Sequence, residues 1–474
     1  MRITIIGAGP GGYTAAFEAA RRGADVTLVE SDSLGGTCLN RGCIPTKALK
    51  TSAEVLDTVR RSSDFGIACG EPEVDMKAVI ARKRKVIETL KTGLKSTCGR
   101  LGVHVVMGRG LVVDASLVRA VLPDGSVQDI RGDKVIIATG SSALDLPGLA
   151  ADGKYILTSD DALELTDIPA RMLVVGGGVV GCELGFIFRS FGSEVTIVEG
   201  LDRLLPMPSV DVAMSKVLMR EARKRKITVL PGRTVKQAVV GAGSVTVSLE
   251  ASPFLDPERV PVDARTPVSL DFDCVLTTIG RRPNTGELGL AEAGVETDRR
   301  GYIMVDGKLE TSLKGVYAIG DVLGPKHIML AHVAMAEAKV AVDNCFGASQ
   351  ICDYSVVPSG IFTTPEIGDV GLTEAQAAAQ GYIPKVASAL VRGLGKAHAM
   401  GELDGEFRLV MDSLTGRLLG AHISGPRATD LIAEAALALK LCATAEDVAN
   451  TIHAHPTMAE GIFEAASQLA MKDK

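Results

Sequence analysis

The sequence predicts an α/β fold of two Rossmann-like dinucleotide-binding domains followed by a C-terminal α+β domain. Three observations carry this reading. One βαβ-like pattern occurs twice, at residues 2–30 and 171–199. Short strands running into small-residue turns recur at VIIATGS, at VLTTIGRRPN (275–284) and at TSLKGVYAIGD (311–321). From about residue 350 the pattern changes to strands and helices with no nucleotide fingerprint. A chain of 474 residues is also too long for one ordinary core and suggests about three domains at ~150 residues each.

The repeat is RITIIGAGPGGYTAAFEAARRGADVTLVE against RMLVVGGGVVGCELGFIFRSFGSEVTIVE. At a fixed offset Gly7 falls on Gly176, Gly9 on Gly178, Gly12 on Gly181, Gly23 on Gly192 and Glu30 on Glu199. Each copy is an apolar strand, a G-x-G-x-x-G turn, a helix-period segment, a glycine break and a second strand ending in Glu. That is the dinucleotide-binding unit. Its first glycine permits the tight turn, and its second lets backbone approach a pyrophosphate at the helix N-terminus. The third brings helix and strand together, and the carboxylate accepts hydrogen bonds from a ribose. Two units imply two dinucleotides, or one dinucleotide and a structural echo. Glu199 favours NAD over NADP, because a carboxylate repels a 2′-phosphate; Arg203, close in sequence, weighs the other way.

Between and beyond the units, residues 46–98 read as mostly helical and 103–141 as strand-rich. Ser252–Pro267, with prolines at 253, 257, 261 and 267, reads as an exposed loop. A helix is expected from about 330 to 346, and another at DLIAEAALALKL. The 52 glycines exceed the usual ~7% without collagen-like periodicity, which points to tight turns and close backbone approaches. No tryptophan, 4% aromatics and a net charge of −6 argue against a nucleic-acid partner. The basic runs Arg82–Lys85 and Arg223–Lys226 read as solvated helix faces. No stretch of ~18 apolar residues appears, so no membrane span is expected. The N-terminal apolar run is broken by Gly7, Gly9, Pro10, Gly11 and Gly12 and recurs inside the chain, unlike a signal peptide. A cytoplasmic protein is expected.

Nine scattered cysteines do not form a disulfide framework. Cys38 and Cys43 in GGTCLNRGCIPTKALK are the close pair, set on either side of a four-residue turn before Pro45 and a helix. A thiol at that helix mouth feels the positive end of the macrodipole, which stabilises thiolate. A structural disulfide closing so short a loop would remove little unfolded-state entropy. A zinc half-site lacks a second Cys/His pair, so no metal is expected. A redox-active dithiol is the favoured reading. Such a centre needs a proton acceptor. His455, in TIHAHPTMAEGIFEAA, precedes Pro456 at the mouth of a helix, with Glu460 one turn in to orient the imidazole. On spacing alone a surface histidine fits as well, and His453-x-His455 also reads as two metal ligands. His332 is ambiguous.

These motifs together resemble a known family. GAGPGG with Glu30, GGTCLNRGCIPTK, VIIATGS, GGGVVGCELG with Glu199, TTIGRRPN, YAIGD, FTTPEIGDVGLTE and HAHPTMAE occur in the order seen in the flavin-dependent pyridine nucleotide–disulfide oxidoreductases. The resemblance spans the whole chain. It implies an FAD-binding domain at 1–148 with the redox pair, an NAD-binding domain at 149–280, a central domain at 281–349 completing the FAD site, and an interface domain at 350–474. It places FAD on Gly7, Gly9, Gly12, Glu30, Gly36, Thr37, Lys47, Thr139, Gly140, Asp321 and Ala331. It places NAD on Gly176, Gly178, Gly181, Glu199 and Gly280.

The resemblance also implies roles. Cys38 would exchange with substrate, and Cys43 would lie against the flavin. Lys47 would pair with Glu183 near the flavin, and His455, oriented by Glu460, would deprotonate an incoming dithiol from the partner subunit of a homodimer. LNRGCIPTK is closest to the lipoamide-oxidising branch, which takes dihydrolipoamide carried on a lipoyl domain or lipoyl carrier protein and reduces NAD⁺. Glutathione-reductase-like or mercuric-reductase-like chemistry is the alternative. The latter should carry a terminal cysteine pair, whereas the last cysteine here is Cys442. The proline-rich 252–267 segment departs from the family's usual pattern and is expected to lie away from the motifs, affecting surface contacts alone.

Overall fold

The computed structural model describes residues 1–146 and 148–471. They form two compact units. The first gathers 1–48, 77–144 and 280–354; the second gathers 49–76, 145–279 and 355 onward.

The first unit is built on a five-stranded parallel sheet. Its order runs Val316–Ala318, Lys134–Ile137, Arg2–Ile6, Asp25–Glu30, His104–Met107. Ile3, Ile5, Ile136 and Ile137 are almost wholly buried, as expected of parallel strands covered on both faces. Their continuous apolar runs make strands; the crossover helix Pro10–Arg21 instead buries an Ala15, Ala16 and Ala19 stripe. The last strand to join, Val316–Ala318, comes from far along the chain and adds its edge in register with Lys134–Ile137. A three-stranded antiparallel sheet, Arg109–Asp114, Leu117–Val121 and Val127–Arg131, completes the strand-rich segment. Helix Met76–Leu101 contains the first basic run, and there the solvated-face expectation fails at one residue: Lys83 is fully buried, its stem turned inward while Arg84 and Lys85 face solvent.

The second unit contains the repeat's second copy. Its parallel sheet is ordered Thr228–Pro231, Glu194–Glu199, Arg171–Val175, Cys274–Thr277, Ile156–Leu157. An antiparallel sheet of Arg233–Val240, Val245–Ala251 and Val268–Phe272 follows. The C-terminal segment forms its own five-stranded antiparallel sheet, with Ser359–Ile361, Glu366–Gly371, Leu418–Gly425, Glu406–Asp412 and Pro384–Leu390 in spatial order. Helices Ala428–Lys440 and Glu460–Ala470 pack on it around Phe407, Leu409 and Ile423. This is the α+β element expected after residue 350. No helix among the described residues is long and apolar enough to cross a membrane.

Candidate active site

The cysteines sit one on each of two helices. Cys38 lies within Gly36–Arg41, and Cys43 opens the long helix Cys43–Arg60. The intervening segment is therefore a short helix broken at Gly42, not the four-residue turn expected from sequence. Both cysteines are reduced thiols. Cys38 shares a hydrogen bond with the Cys43 thiol, and that bond, with burial, pushes its own thiol well up. The Lys47 ammonium, one turn into the same helix as Cys43, pulls in the opposite direction. Tyr13 lies close enough that the two sulfur centres, after burial, help push its phenol up to about 12. A proton is thus held between two sulfurs until something removes it.

The first glycine cradle is built around the same place. Gly7 has φ +98°, and a Cβ there would meet the Ala138 carbonyl oxygen at 2.4 Å. A Cβ on Gly12 would stand 1.8 Å from the Gly7 carbonyl oxygen. One on Gly36 would stand 2.6 Å from the Cα of Gly9, the N-cap residue before Pro10. Both Glu30 oxygens accept backbone N–H bonds, Oε2 from Ala8 at 2.7 Å and Oε1 from Asp32 at 2.8 Å. Those bonds aim the carboxylate and leave each oxygen a further lone pair for a ribose. Thr139, whose Cα lies beside Gly7, has a buried Oγ1 with no partner. Thr37 lies in the Cys38 helix, and Ala331 opens the helix Ala331–Cys345. Gly140, at φ +68°, leads into the ribbon of Ser141–Ala143 with Arg281–Pro283. The orphaned Thr139 hydroxyl and the bare backbone of the cradle fit a flavin dinucleotide.

Sequence reasoning missed the groups that hold Asp321. Ser141 Oγ donates to Asp321 Oδ2 at 2.6 Å, and Arg281 donates through Nε to Ser141 Oγ and through Nη2 to its carbonyl, each at 2.6 Å. One residue earlier, the Gly320 N–H donates to Glu337 Oε2 at 2.6 Å, while the Tyr354 hydroxyl donates to Oε1 at 2.6 Å. The available signal for Glu337 was its place in the helix period with buried Ala334, Ala338 and Ala341. Burial pushes this carboxyl up to about 7 against those two hydrogen bonds. Its folded pKa is above the ordinary 4.5, so the folded state binds the extra proton. That stabilisation is complete below the unfolded pKa and disappears as pH rises through about 7. Glu337→Gln is therefore expected to abolish a fall in stability across that window worth about 3 kcal/mol at most. Thermal midpoints of the two proteins measured across the window test this; parallel curves would refute it.

In the second unit the cradle repeats. Gly176 has φ +108°, and a Cβ on Gly181 would stand 2.0 Å from the Gly176 carbonyl oxygen. Gly178 caps helix Val179–Phe191. Glu199 accepts from Gly177 N at 2.7 Å through Oε2 and from Leu201 N at 2.8 Å through Oε1, as Glu30 does in the first copy. Arg203 turns Nη2 to the Met207 and Val210 carbonyls at 3.3 and 3.2 Å. In that pose it does not weigh against the carboxylate. Gly280 falls in the first unit, at the start of the Arg281–Pro283 strand. Glu183 is buried and its Oε1 accepts the Phe362 N–H at 2.9 Å.

One expectation is overturned in this unit. The 252–267 segment is not away from the motifs. Phe254 packs against Gly200, the residue after Glu199, and Arg259 pairs with Asp202 at 2.6 Å. Nor is it simply exposed, since Val260 and Ala264 are buried. The reason is topological: the segment leaves Val245–Ala251 at the end that pairs with Arg233, beside the carboxyl ends of the parallel strands.

Near the C-terminus, His455 Nδ1 and Glu460 Oε1 are 2.8 Å apart, and Glu460 Oε2 accepts the Thr457 N–H at 2.9 Å. The His455 hydrogen bond, then the Thr457 N–H, hold the Glu460 carboxyl below the usual range. Glu460 is the first residue of its helix, not one turn in. A charged carboxylate on Nδ1 fixes the tautomer with a lone pair on Nε2, and the His455 side chain is 75% exposed. His453 is already committed, to the Thr451 carbonyl and to Glu434 Oε1, each at 2.8 Å, so the two-histidine metal reading loses a ligand. Among the described residues, no group of three His, Cys, Asp or Glu side chains is placed to hold a metal.

Residues 1–338 match the pyridine nucleotide-disulphide oxidoreductase family, and 357–466 match that family's dimerisation domain. The chain belongs to the pyridine nucleotide-disulphide oxidoreductases. It is 39% identical to the dihydrolipoyl dehydrogenase of Chlorobaculum tepidum, over 98% of this chain and 96% of that one. Identity to the dihydrolipoyl dehydrogenase of Haloferax volcanii is 40%, over 98% and 95%. Among solved structures, LpdA from Mycobacterium tuberculosis superposes with a TM-score of 0.90 at 27% identity, covering 99% of this chain and all of that one. The HOCl-induced flavoprotein disulfide reductase RclA from Escherichia coli does so at 0.85 and 26%, covering 98% and 99%. As an oxidoreductase of this family the chain works with FAD and NAD.

Proposed function

We propose that the chain is a dihydrolipoyl dehydrogenase that oxidises carrier-bound dihydrolipoamide to lipoamide and reduces NAD⁺. What carries this reading is the His455–Glu460 arrangement in a chain that also holds the Cys38–Cys43 pair, with near-full-length identity to dihydrolipoyl dehydrogenases behind it. The expected division, FAD-binding 1–148, NAD-binding 149–280, central 281–349 and interface 350–474, is part of the proposal. So is a homodimer in which each subunit's His455 serves its partner's cysteines.

The catalytic cycle starts with Cys38 and Cys43 joined as a disulfide. Glu460 keeps the proton on His455 Nδ1, so Nε2 is the atom that takes the proton from one substrate thiol. The resulting thiolate attacks Cys38, forming a mixed disulfide and releasing Cys43 as thiolate. The second substrate thiol then displaces Cys38, and lipoamide leaves with its own S–S bond closed. One electron pair and two protons have passed to the protein. Lys47, whose charge already reaches Cys38, stabilises the thiolate left behind. FAD would be held by the first cradle and Asp321, and NAD⁺ by the second cradle; when bound, the flavin would supply the two-electron chemistry linking dithiol to nicotinamide. Glu183, buried and accepting the Phe362 N–H, is the proposed partner of Lys47.

Purified protein given dihydrolipoamide under anaerobic conditions is expected to reduce NAD⁺ rapidly and NADP⁺ poorly, with no turnover of glutathione disulfide. Glutathione disulfide or another disulfide serving as the better substrate would move the reading to another flavin-dependent disulfide reductase, a branch that the likeness to RclA keeps in view.

A further inference from the structure

The proline-rich segment stands at the carboxyl edge of the second parallel sheet, where open α/β sheets bind their ligands. Strand Glu194–Glu199 ends there, and Glu199 pairs with Pro231 on the next strand. Gly232 N–H bonds to the Leu201 carbonyl at 2.9 Å, and Ser252 N–H to the Gly232 carbonyl at 2.8 Å. These bonds tie the start of the segment to the loop that follows the ribose carboxylate. The ring of Phe254 then takes the space that a side chain at residue 200 would fill, 3.0 Å from that Cβ position.

The segment is a built element. Pro261 packs over Gly232, and Arg259 pairs with Asp202 at 2.6 Å. The buried Arg233 guanidinium donates to the Thr266 carbonyl at 2.9 Å and to the Asp263 carbonyl. Yet Phe254 itself is 71% exposed. A large aromatic ring held at a ligand-binding edge and left uncovered calls for an apolar, planar partner. The dinucleotide placed on Glu199 supplies one, since its adenine is joined to the ribose that this carboxylate accepts.

We infer that Phe254 forms the wall against which the adenine base of the nicotinamide dinucleotide packs, making residues 252–267 an affinity element for that cofactor. The inference rests on the proposed placement of NAD in the second cradle. It does not depend on which disulfide the enzyme uses.

The test uses the holoenzyme and reads nucleotide binding apart from dithiol chemistry. Phe254→Ala is expected to weaken ADP-ribose binding and raise the KM for NADH, in NADH-driven dye reduction, on the order of tenfold. Its kcat should be unchanged, as should turnover of reduced nicotinamide mononucleotide, which has no adenine. Phe254→Tyr should restore tight binding, and Arg259→Ala, which unpins the segment, should give a smaller loss. ADP-ribose binding that is unchanged or tighter in Phe254→Ala would overturn the inference. A loss shared equally by the mononucleotide, or not rescued by tyrosine, would also overturn it. Normal ADP-ribose behaviour in a protein inactive toward dihydrolipoamide would leave this inference standing and remove the substrate reading instead.

Discussion

Cys38→Ser is expected to lower dihydrolipoamide-dependent NAD⁺ reduction by at least ~10³-fold, because Cys38 is the thiol proposed to form the mixed disulfide. Serine is nearly isosteric and Cys38 is only partly buried, so the fold and the bound flavin should survive. Reduction of an artificial dye by NADH bypasses both sulfurs and should continue at close to the wild-type rate. That contrast separates a lost nucleophile from a lost fold. A variant keeping more than a few per cent of its dithiol activity would exclude Cys38 as the exchanging thiol.

His455→Gln removes the proposed base while keeping a side chain able to hydrogen-bond to Glu460. A positioned base contributes about 10²–10⁴-fold, and the loss should fall in that range. It should be confined to the dithiol half-reaction, leaving NADH-driven dye reduction intact. The pH profile is the sharper readout. Without an acceptor at Nε2, turnover should climb as pH approaches the ordinary thiol pKa of ~8.5, where substrate thiolate forms unaided. A variant that lost activity by the same factor at every pH would point to a structural role for His455.

The parts of the site that were legible in the sequence are those where a function depends on residues close together in the chain. Gly12 is read from its spacing because the clash it avoids is with the Gly7 carbonyl in the same turn, whereas the clash Gly7 avoids is with Ala138, far along the chain. The carboxylates Glu30 and Glu199 close units short enough to be seen twice. His455 and Glu460 are five residues apart, and the bond between them is local. The segment joining the cysteines was less legible, since a short helix ending at Gly42 and a turn of the same length share the same residue types.

What lay beyond the sequence involves partners brought together by packing. Asp321 is held by Ser141 and Arg281, and Glu337 by Gly320 and Tyr354; neither set has a period or spacing to detect. The proline-rich segment was legible as a loop by composition, but composition carries no information about which strand ends it meets. Only the register of the sheets put Phe254 beside Gly200. The sequence by itself therefore determined the two glycine cradles, the close thiol pair and the candidate base, mainly because short-range sterics and hydrogen bonds write such features into neighbouring residues. The tertiary structure alone decided which buried charges share protons and which loop walls the cofactor edge, because those energies depend on distances across folded strands.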